Sequence, residues 1–372
     1  MKENRTRNLR RVIAVAAALF CGATNAQTAG PLRTNIAAIL TNGFVRQQEF
    51  FPTTSSLDLV FSGGCGVMEG LTSAPDGRVF FTEITRSVEC ADARGVPGGR
   101  IWVVEPGSAR PIVFREPSGM AAGLSVDGQE GLIVAEGADY GARRISRTDL
   151  KTGEYRVIAY MHENRQFNAP NDVAADSKGR VYFSDIRLFG PETMEQRIHG
   201  VYRLDPPPAG GKGTWPVTRV IGNNSKINGV EVARDDRTLY AGFCDLGSNA
   251  LGEQAAADLD RGGQAGLVAY ALDEGGNVSR TRVLLDLEKS GCVDGMTLDA
   301  AGNIYATVGS SAVPSGIYVF TPEGALVARL VLPNNERPVN LGFGRGPQAS
   351  MLYISIVSGG KVYRIRTGKA GY

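Results

Sequence analysis

The sequence predicts an all-β fold, a six-bladed β-propeller whose blades are four-stranded antiparallel sheets. Three observations support this prediction. One unit recurs six times, short apolar stretches alternate with turn residues throughout, and glycine accounts for 48 of the 372 residues. The units start about 46 to 66 residues apart, close to the length of a propeller blade with loops added. A double-sheet sandwich would not explain six equivalent units.

The first segment of the chain differs from the repeats. Residues 1–11 carry five basic side chains, and residues 12–23 form an apolar run rich in alanine. This run is too short to span a bilayer, and small or polar residues follow it. We therefore predict a secretory signal over residues 1–26, a lead-in over 27–50 and the propeller over 51–368, in a periplasmic or secreted protein that has no membrane contact after cleavage. A retained anchoring helix is the alternative.

Each unit begins with a small or polar residue and continues with an alternating apolar stretch, a polar turn and further β-rich stretches. In the third unit, residues 171–176 lead into residues 180–183, and a second strand pair follows. The last unit ends after residues 362–365 without a fourth strand, whereas residues 57–61 form a spare apolar strand. We expect this N-terminal strand to close the ring and to remove its open edge.

The starting residues of the six units are expected to converge. The first strand of each propeller blade lines the central channel, so equivalent positions point toward the axis. Two carboxylates and several amides facing one axis would be costly to bury without a positive partner. Carboxylate and amide oxygens suit a hard cation such as calcium or magnesium. The positions are Glu69, Gly123, Asn171, Asn228, Asp294 and Asn340.

Each candidate ligand also has a simpler interpretation. Asn228 and Asp294 both precede a glycine, so each could belong to a hairpin turn. Asn171 could cap a turn. Four such residues in equivalent positions favour a shared metal site. The neighbouring Asp172 is left out of the predicted site, because strand alternation predicts that it faces away from the axis.

The motifs around these positions resemble those of the SMP-30/gluconolactonase family. That family carries Glu-Gly near the N-terminus, Asn-x-Pro-Asn-Asp in blade three, Asn-Gly in blade four and Asp-Gly-Met in blade five. The resemblance extends over about residues 57 to 366. The matching segments here are Glu69-Gly70, Asn168-Ala169-Pro170-Asn171-Asp172, Asn228-Gly229 and Asp294-Gly295-Met296.

The resemblance implies a metal-dependent lactonase that opens a small lactone or similar ester. It implies Glu69, Asn171, Asn228 and Asp294 as the ligands of a divalent metal, usually Ca²⁺, with Mg²⁺, Mn²⁺ or Zn²⁺ as alternatives. It also suggests Asp294 as the general base and Glu69 as a purely coordinating ligand. The two roles could be reversed, and a metal-bound hydroxide that needs neither carboxylate as base remains an alternative.

Residues outside the ligand set are expected to select the substrate. Asn168 and Asp185 lie in the right region for substrate contact, with loop hydrogen bonding as their alternative role. Where bacterial gluconolactonases have a Cys-Glu-His-Gly-like segment, residues 135–138 read Ala-Glu-Gly-Ala. The missing histidine argues against D-glucono-1,5-lactone as the substrate. Two other functions are considered: a phosphotriesterase-like hydrolase on the same metal site, and a non-enzymatic periplasmic binding propeller with structural calcium.

Charge and cysteine content narrow the partners and the compartment. Removing residues 1–26 changes 40 basic and 38 acidic residues to 35 and 37, a net charge of about −2, which leaves no basic footprint for nucleic acid. Four cysteines remain in the predicted mature protein, and an even number in an oxidising compartment suggests two disulfides. Among three possible pairings we expect Cys65 with Cys90 and Cys244 with Cys292. Four free thiols are the alternative.

Overall fold

The structure, a computed structural model, describes residues 46–85, 98–108, 110–137, 141–187, 193–208, 211, 213–223, 226–245, 265–288, 291–310 and 313–372. These residues all belong to one compact unit. The predicted signal and most of the predicted lead-in lie outside them, so both stay predictions. Within the described ranges, no helix is long and apolar enough to cross a membrane.

Three sheets are four-stranded antiparallel meanders, in which strands consecutive in the chain are hydrogen-bonded neighbours. Their strands, in chain order, are β2 (Val67–Ser73), β3 (Val79–Ile84), β4 (Arg100–Val104) and β5 (Ile112–Arg115); β6 (Leu124–Val126), β7 (Gly131–Glu136), β8 (Arg144–Asp149) and β9 (Tyr155–Ala159); and β12 (Pro170–Ala175), β13 (Val181–Asp185), β14 (His199–Leu204) and β15 (Val217–Asn223). A two-stranded ribbon, β10 (Met161–His162) and β11 (Arg165–Gln166), precedes the third meander.

The next two repeats form one eight-stranded sheet. Its strands are β16 (Ile227–Val232), β17 (Thr238–Asp245), β18 (Ala265–Leu272), β19 (Val278–Glu288), β20 (Gly291–Leu298), β21 (Ile304–Ser310), β22 (Gly316–Phe320) and β23 (Leu326–Leu330). The repeats join where the end of β17 pairs with the start of β20, at Cys244 with Cys292 and Asp245 with Gly291. This junction departs from the prediction of six separate sheets, because β17 continues beyond its pairing with β16.

The last sheet combines the two ends of the described chain. It contains β24 (Pro338–Phe343), β25 (Met351–Ile356) and β26 (Val362–Arg366), and its fourth strand is β1 (Leu57–Phe61). Strand β1 pairs antiparallel with β26, with Leu57 opposite Ile365 and Asp58 opposite Arg364.

The first strands of the repeats are neighbours in a closed series. Strand β2 contacts β6, β6 contacts β12, β12 contacts β16, β16 contacts β20, β20 contacts β24, and β24 contacts β2. The prediction of an all-β, propeller-like arrangement of antiparallel sheets is thus confirmed. The polar residues at the starts of these strands are consequently brought to a common centre.

The core lies between the faces of adjacent sheets. Ile133 of the second meander packs with Val173, Phe183 and Tyr202 of the third, and all four are buried. The rings of Phe183 and Tyr202 stack with centroids 5.4 Å apart. Burying each such side chain stabilises the fold by about 1.5–3 kcal/mol. Apolar side chains on both faces of the strands therefore hold neighbouring sheets together.

An aspartate turn recurs between the first and second strands of several repeats. The Asp176 carboxylate accepts hydrogen bonds from the backbone N–H groups of Lys178 (3.0 Å) and Arg180 (2.9 Å), and Gly179 takes a φ of +78°. This local pairing favours a tight turn, and glycine adopts the left-handed conformation at little cost. Asp127 and Asp299 accept the same pattern of backbone bonds.

A short helix, α1 (Gln47–Phe50), packs onto the outer strand β23. The Gln47 side chain donates to the carbonyl oxygen of Arg329 (2.8 Å) and accepts from the N–H of Arg329 (2.9 Å), as a neighbouring strand would. Phe50 is fully buried, and its ring meets Tyr305 edge-on at 6.0 Å. Residues 46–50 of the predicted lead-in are therefore packed onto the sheet.

Candidate metal centre

Five of the first strands contain a β-bulge near their start. In β2 the pairing shifts register between Met68 and Leu71, and equivalent shifts occur in β12, β16, β20 and β24. A bulge inserts an extra residue into one strand and re-aims its side chains. The four predicted ligands lie inside four of these bulges: Glu69, Asn171, Asn228 and Asp294.

A glycine follows two of the ligands because the neighbouring strand approaches closely. A Cβ atom on Gly229 would overlap the carbonyl oxygen of Asp294, and one on Gly295 would overlap the side-chain amide of Asn340. Both glycines lie inside strands, so the alternative hairpin-turn interpretation of the Asn-Gly and Asp-Gly pairs is wrong. These glycines mark sites where two strands meet without room for a side chain.

Contacts across the centre join residues that are distant in the chain. The Nδ2 atom of Asn340 donates a hydrogen bond to Oε2 of Glu69 (3.2 Å), across 271 positions of sequence. Between the second and third repeats, the Gly123 N–H donates to the carbonyl oxygen of Asn171 (2.6 Å). The four predicted ligands are all buried, with 2–8% of their surface exposed. The structure therefore buries all four predicted positions and places Glu69 in contact with Asn340.

Asp172 also lies at the centre, and the expectation that it faces away from the axis is wrong. Its Oδ2 accepts a hydrogen bond from the N–H of Val230 on the next repeat (3.0 Å). It also lines an axial cavity of about 110 Å³ together with Asn340. Alternation assigns opposite faces only along a regular strand, and the bulge between Pro170 and Val173 interrupts that regularity.

Burial raises the pKa of two carboxyl groups at this centre. Desolvation raises the pKa of Asp294 to about 7, against the opposing charge of Arg337. Desolvation also raises the pKa of Asp172 to about 7, and the nearby charge of Asp294 adds to this effect. Buried carboxylates of like charge disfavour each other's ionisation. A positive partner would keep both ionised at neutral pH.

The donor set fits a hard divalent cation. Oδ1 of Asn228 is buried and has no hydrogen-bond partner among the described residues, although buried carbonyl oxygens are normally paired. Nowhere in the described ranges do three or more His, Cys, Asp and Glu side chains form a group that could hold a metal. A metal here would instead need amide oxygens beside the two carboxylates, which are ligands that calcium accepts.

Comparison with known proteins identifies the family. The model of the SMP-30/Gluconolactonase/LRE-like region matches residues 68–358. The chain belongs to this family. A gluconolactonase from Zymomonas mobilis is 29% identical over 290 residues, which cover 74% of this chain and 71% of the relative.

Solved structures show the same fold as this family member. A gluconolactonase from Xanthomonas campestris superposes with a TM-score of 0.63 at 21% identity, over 85% of this chain and 90% of that one. A luciferin-regenerating enzyme superposes with a TM-score of 0.61 at 16% identity, over 86% of this chain and 97% of that one.

In this family member the two predicted substrate residues are engaged in loop hydrogen bonds. The Asp185 carboxylate accepts the N–H groups of Asn168 (2.9 Å) and Ala169 (2.7 Å). The Asn168 side chain both donates to and accepts from the backbone of Gln196 (3.0 and 3.1 Å). Both residues are fully buried, and desolvation raises the pKa of Asp185 to about 6. These contacts favour the loop role over substrate contact.

The disulfide prediction is confirmed for one pair. Cys244 and Cys292 are bonded across 48 positions of sequence and join β17 to β20. Cys65 is exposed, and Cys90 lies outside the described residues, so the second pairing stays a prediction.

Two central residues were outside the predicted ligand set. Asn340 occupies an equivalent starting position, and this periodic signal already placed it at the axis. Its hydrogen bond to Glu69 gives it a supporting contact. Asp172 had no such signal, because a bulge cannot be read from alternation. Its position emerges only from the register between β12 and β13.

Proposed function

We propose that the chain is an exported, metal-dependent hydrolase that opens a small lactone, as a gluconolactonase does. One observation carries the proposal: the buried Oδ1 of Asn228 has no hydrogen-bond partner among the residues that the structure describes, on a ring of neighbouring strands that also carries Glu69, Asn171 and Asp294. Membership of the family supports hydrolysis, and the gluconolactonase relative supports a lactone as substrate.

The proposed cofactor is Ca²⁺, held by Glu69, Asn171, Asn228 and Asp294, with Mg²⁺, Mn²⁺ or Zn²⁺ as alternatives. Two carboxylates and two amide oxygens provide only oxygen donors, which suits calcium better than softer metals. The hydrogen bond from Asn340 to Glu69 orients one of the two carboxylates, and supporting contacts of this kind tune metal sites.

When bound, the cation supplies a Lewis acid that polarises a carbonyl oxygen and lowers the pKa of nearby water. Asp294 accepts the proton of the water that attacks the lactone carbonyl carbon. A bound cation would keep Asp294 ionised at neutral pH, which is the form that can accept a proton. Asp294 then returns the proton to the ring oxygen as the carbon–oxygen bond breaks, which yields the hydroxy acid. Glu69 takes no proton in this scheme.

The proposed scaffold is a ring of six blades closed by the N-terminal strand. The eight-stranded sheet supports two blades rather than one, because only two residue pairs join its halves. The pairing of β1 with β26 supports closure. Export is proposed from the basic and apolar residues 1–26, and the Cys244–Cys292 disulfide is consistent with an oxidising compartment.

The proposal is tested by following acid release from a panel of small lactones, with sugar lactones included. The mature protein is assayed in calcium, after chelation, and after calcium is restored. We expect hydrolysis that chelation abolishes and calcium restores, and that is lost in Asp294→Ala. Folded, calcium-loaded protein that hydrolyses no lactone would contradict the proposal; turnover of phosphotriesters by that protein would place the chemistry in the alternative class.

A further inference from the structure

The buried disulfide lies directly beside the candidate metal centre. Cys292 precedes Asp294 by two residues on β20, and Cys244 follows Phe243, which pairs with Ile227 beside Asn228. The two cysteines are 0% and 1% exposed. The crosslink thus holds one sulfur atom between the strands that carry two proposed ligands.

The side-chain amide of Asn228 has two chemically different ends. Its Nδ2 donates toward Sγ of Cys292 at 3.9 Å, whereas its Oδ1 is buried without a hydrogen-bond partner in the described part of the chain. Ser184 holds the backbone of the same residue by donating to its carbonyl oxygen (2.5 Å). Because oxygen and nitrogen occupy opposite ends of a planar amide, a partner for Nδ2 decides where Oδ1 points.

We propose that the Cys244–Cys292 disulfide positions the Asn228 amide, by offering Nδ2 a sulfur that can only accept, so that Oδ1 faces the metal. This inference rests on the proposed function. A disulfide sulfur carries no hydrogen. A free thiol is both a weak donor and a weak acceptor, so it can pair with either end of the amide and permits the flipped orientation, which turns an NH₂ group toward the cation.

Supporting contacts of this type change metal affinity by about 10-fold to 100-fold. The first variant is Cys244→Ala, which leaves a thiol at Cys292 and removes the crosslink. We expect its calcium dissociation constant, measured by titration against a chromophoric chelator, to rise about tenfold or more over wild type. Ile133→Val, in the core between the second and third meanders, is a control for mild destabilisation and should keep wild-type affinity.

A purely structural role is separated by repeating the measurement in Asn228→Asp. Aspartate has two equivalent oxygens and no amide to orient, so Cys244→Ala should weaken calcium binding less in this background. An equal loss of calcium affinity in the wild-type and Asn228→Asp backgrounds would overturn the positioning role. Wild-type calcium affinity in folded Cys244→Ala would overturn it as well. If Cys244→Ala does not fold, Cys244→Ser, which also removes the crosslink and is closer to cysteine in size, takes its place, and calcium affinity is compared in both Asn228 backgrounds as before.

Failure of the proposed function gives a different result. Wild-type protein that binds none of the four divalent ions would overturn the metal site itself, and this inference with it. Wild-type binding that is indifferent to the disulfide would overturn the inference alone.

Discussion

Replacing Asp294 with asparagine is expected to stabilise the metal-free protein while abolishing its activity. The carboxyl is buried, and its pKa rises from 3.8 to about 7 on folding. Because the pKa is higher in the folded protein, the stability that protonated Asp294 contributes is fully present below about pH 3.8 and is lost as the pH rises through about 7. Each pKa unit corresponds to about 1.4 kcal/mol, so ionised Asp294 costs up to about 4 kcal/mol at pH 8. Asparagine has nearly the same shape and carries no charge.

Urea unfolding at pH 8 measures this effect, once in chelator and once in excess calcium. In chelator, Asp294→Asn should be more stable than wild type by about 1–4 kcal/mol. In calcium at 100 times the dissociation constant, the wild type should gain about 2.7 kcal/mol and the variant little. Calcium should therefore reduce or reverse the difference in free energy of unfolding between the variant and wild type. Lactone hydrolysis by the variant should be lost.

Asp299→Asn is the matched control in the same repeat. The Asp299 carboxylate is buried but compensated: it accepts the N–H groups of Ala301 and Asn303 (2.9 Å each) and the Asn303 side-chain amide (2.7 Å). Its replacement should destabilise the protein in both conditions. The reasoning is refuted if Asp294→Asn is less stable than wild type in chelator, since the Asp294 carboxylate would then already be compensated by the protein.

Three further predictions concern residues elsewhere in the first and second strands of the repeats. Gly229→Ala should lower the free energy of unfolding by about 1–3 kcal/mol and weaken calcium binding, because the new methyl group overlaps the carbonyl of Asp294; thermal unfolding and calcium titration measure both. Asp185→Ala should destabilise the protein by about 1–3 kcal/mol by leaving backbone N–H groups unpaired; a raised KM with unchanged stability would instead support substrate contact. Burial raises the pKa of Glu231 from 4.5 to about 8, so the stability that protonated Glu231 contributes is lost as the pH rises across that interval. Between pH 5 and pH 8, the free energy of unfolding of Glu231→Gln should therefore decline less than that of wild type, as measured by urea unfolding in chelator.

The repeat pattern predicted much of the molecule correctly. Six equivalent units predicted antiparallel sheets in a propeller-like arrangement, and the spare strand at residues 57–61 does pair with the last strand of the chain. The same periodicity selected Glu69, Asn171, Asn228 and Asp294, all of which are buried near the starts of first strands that contact one another in series. Equivalent residues of a repeat occupy equivalent places in space, so this information is present in one sequence.

Other features depended on contacts that no local pattern specifies. The prediction of six separate sheets missed the backbone pairing of β17 with β20 beside the predicted Cys244–Cys292 disulfide, because a strand can extend beyond its own sheet. The substrate role of Asn168 and Asp185 stays a prediction, and the side chain of Asn168 is hydrogen-bonded to Gln196, 28 residues along the chain. Which loop a polar side chain meets depends on how the loops pack together.

The sequence by itself determined which oxygen-bearing side chains stand at the starts of the repeats and that those starts share one axis. Only the tertiary structure decided how the side chains face one another. Bulges reverse strand alternation and bring Asp172 to the centre, and a sulfur 64 residues away meets the amide of Asn228. Periodicity fixes which positions are equivalent, whereas the orientation of a buried side chain depends on atoms supplied by remote segments.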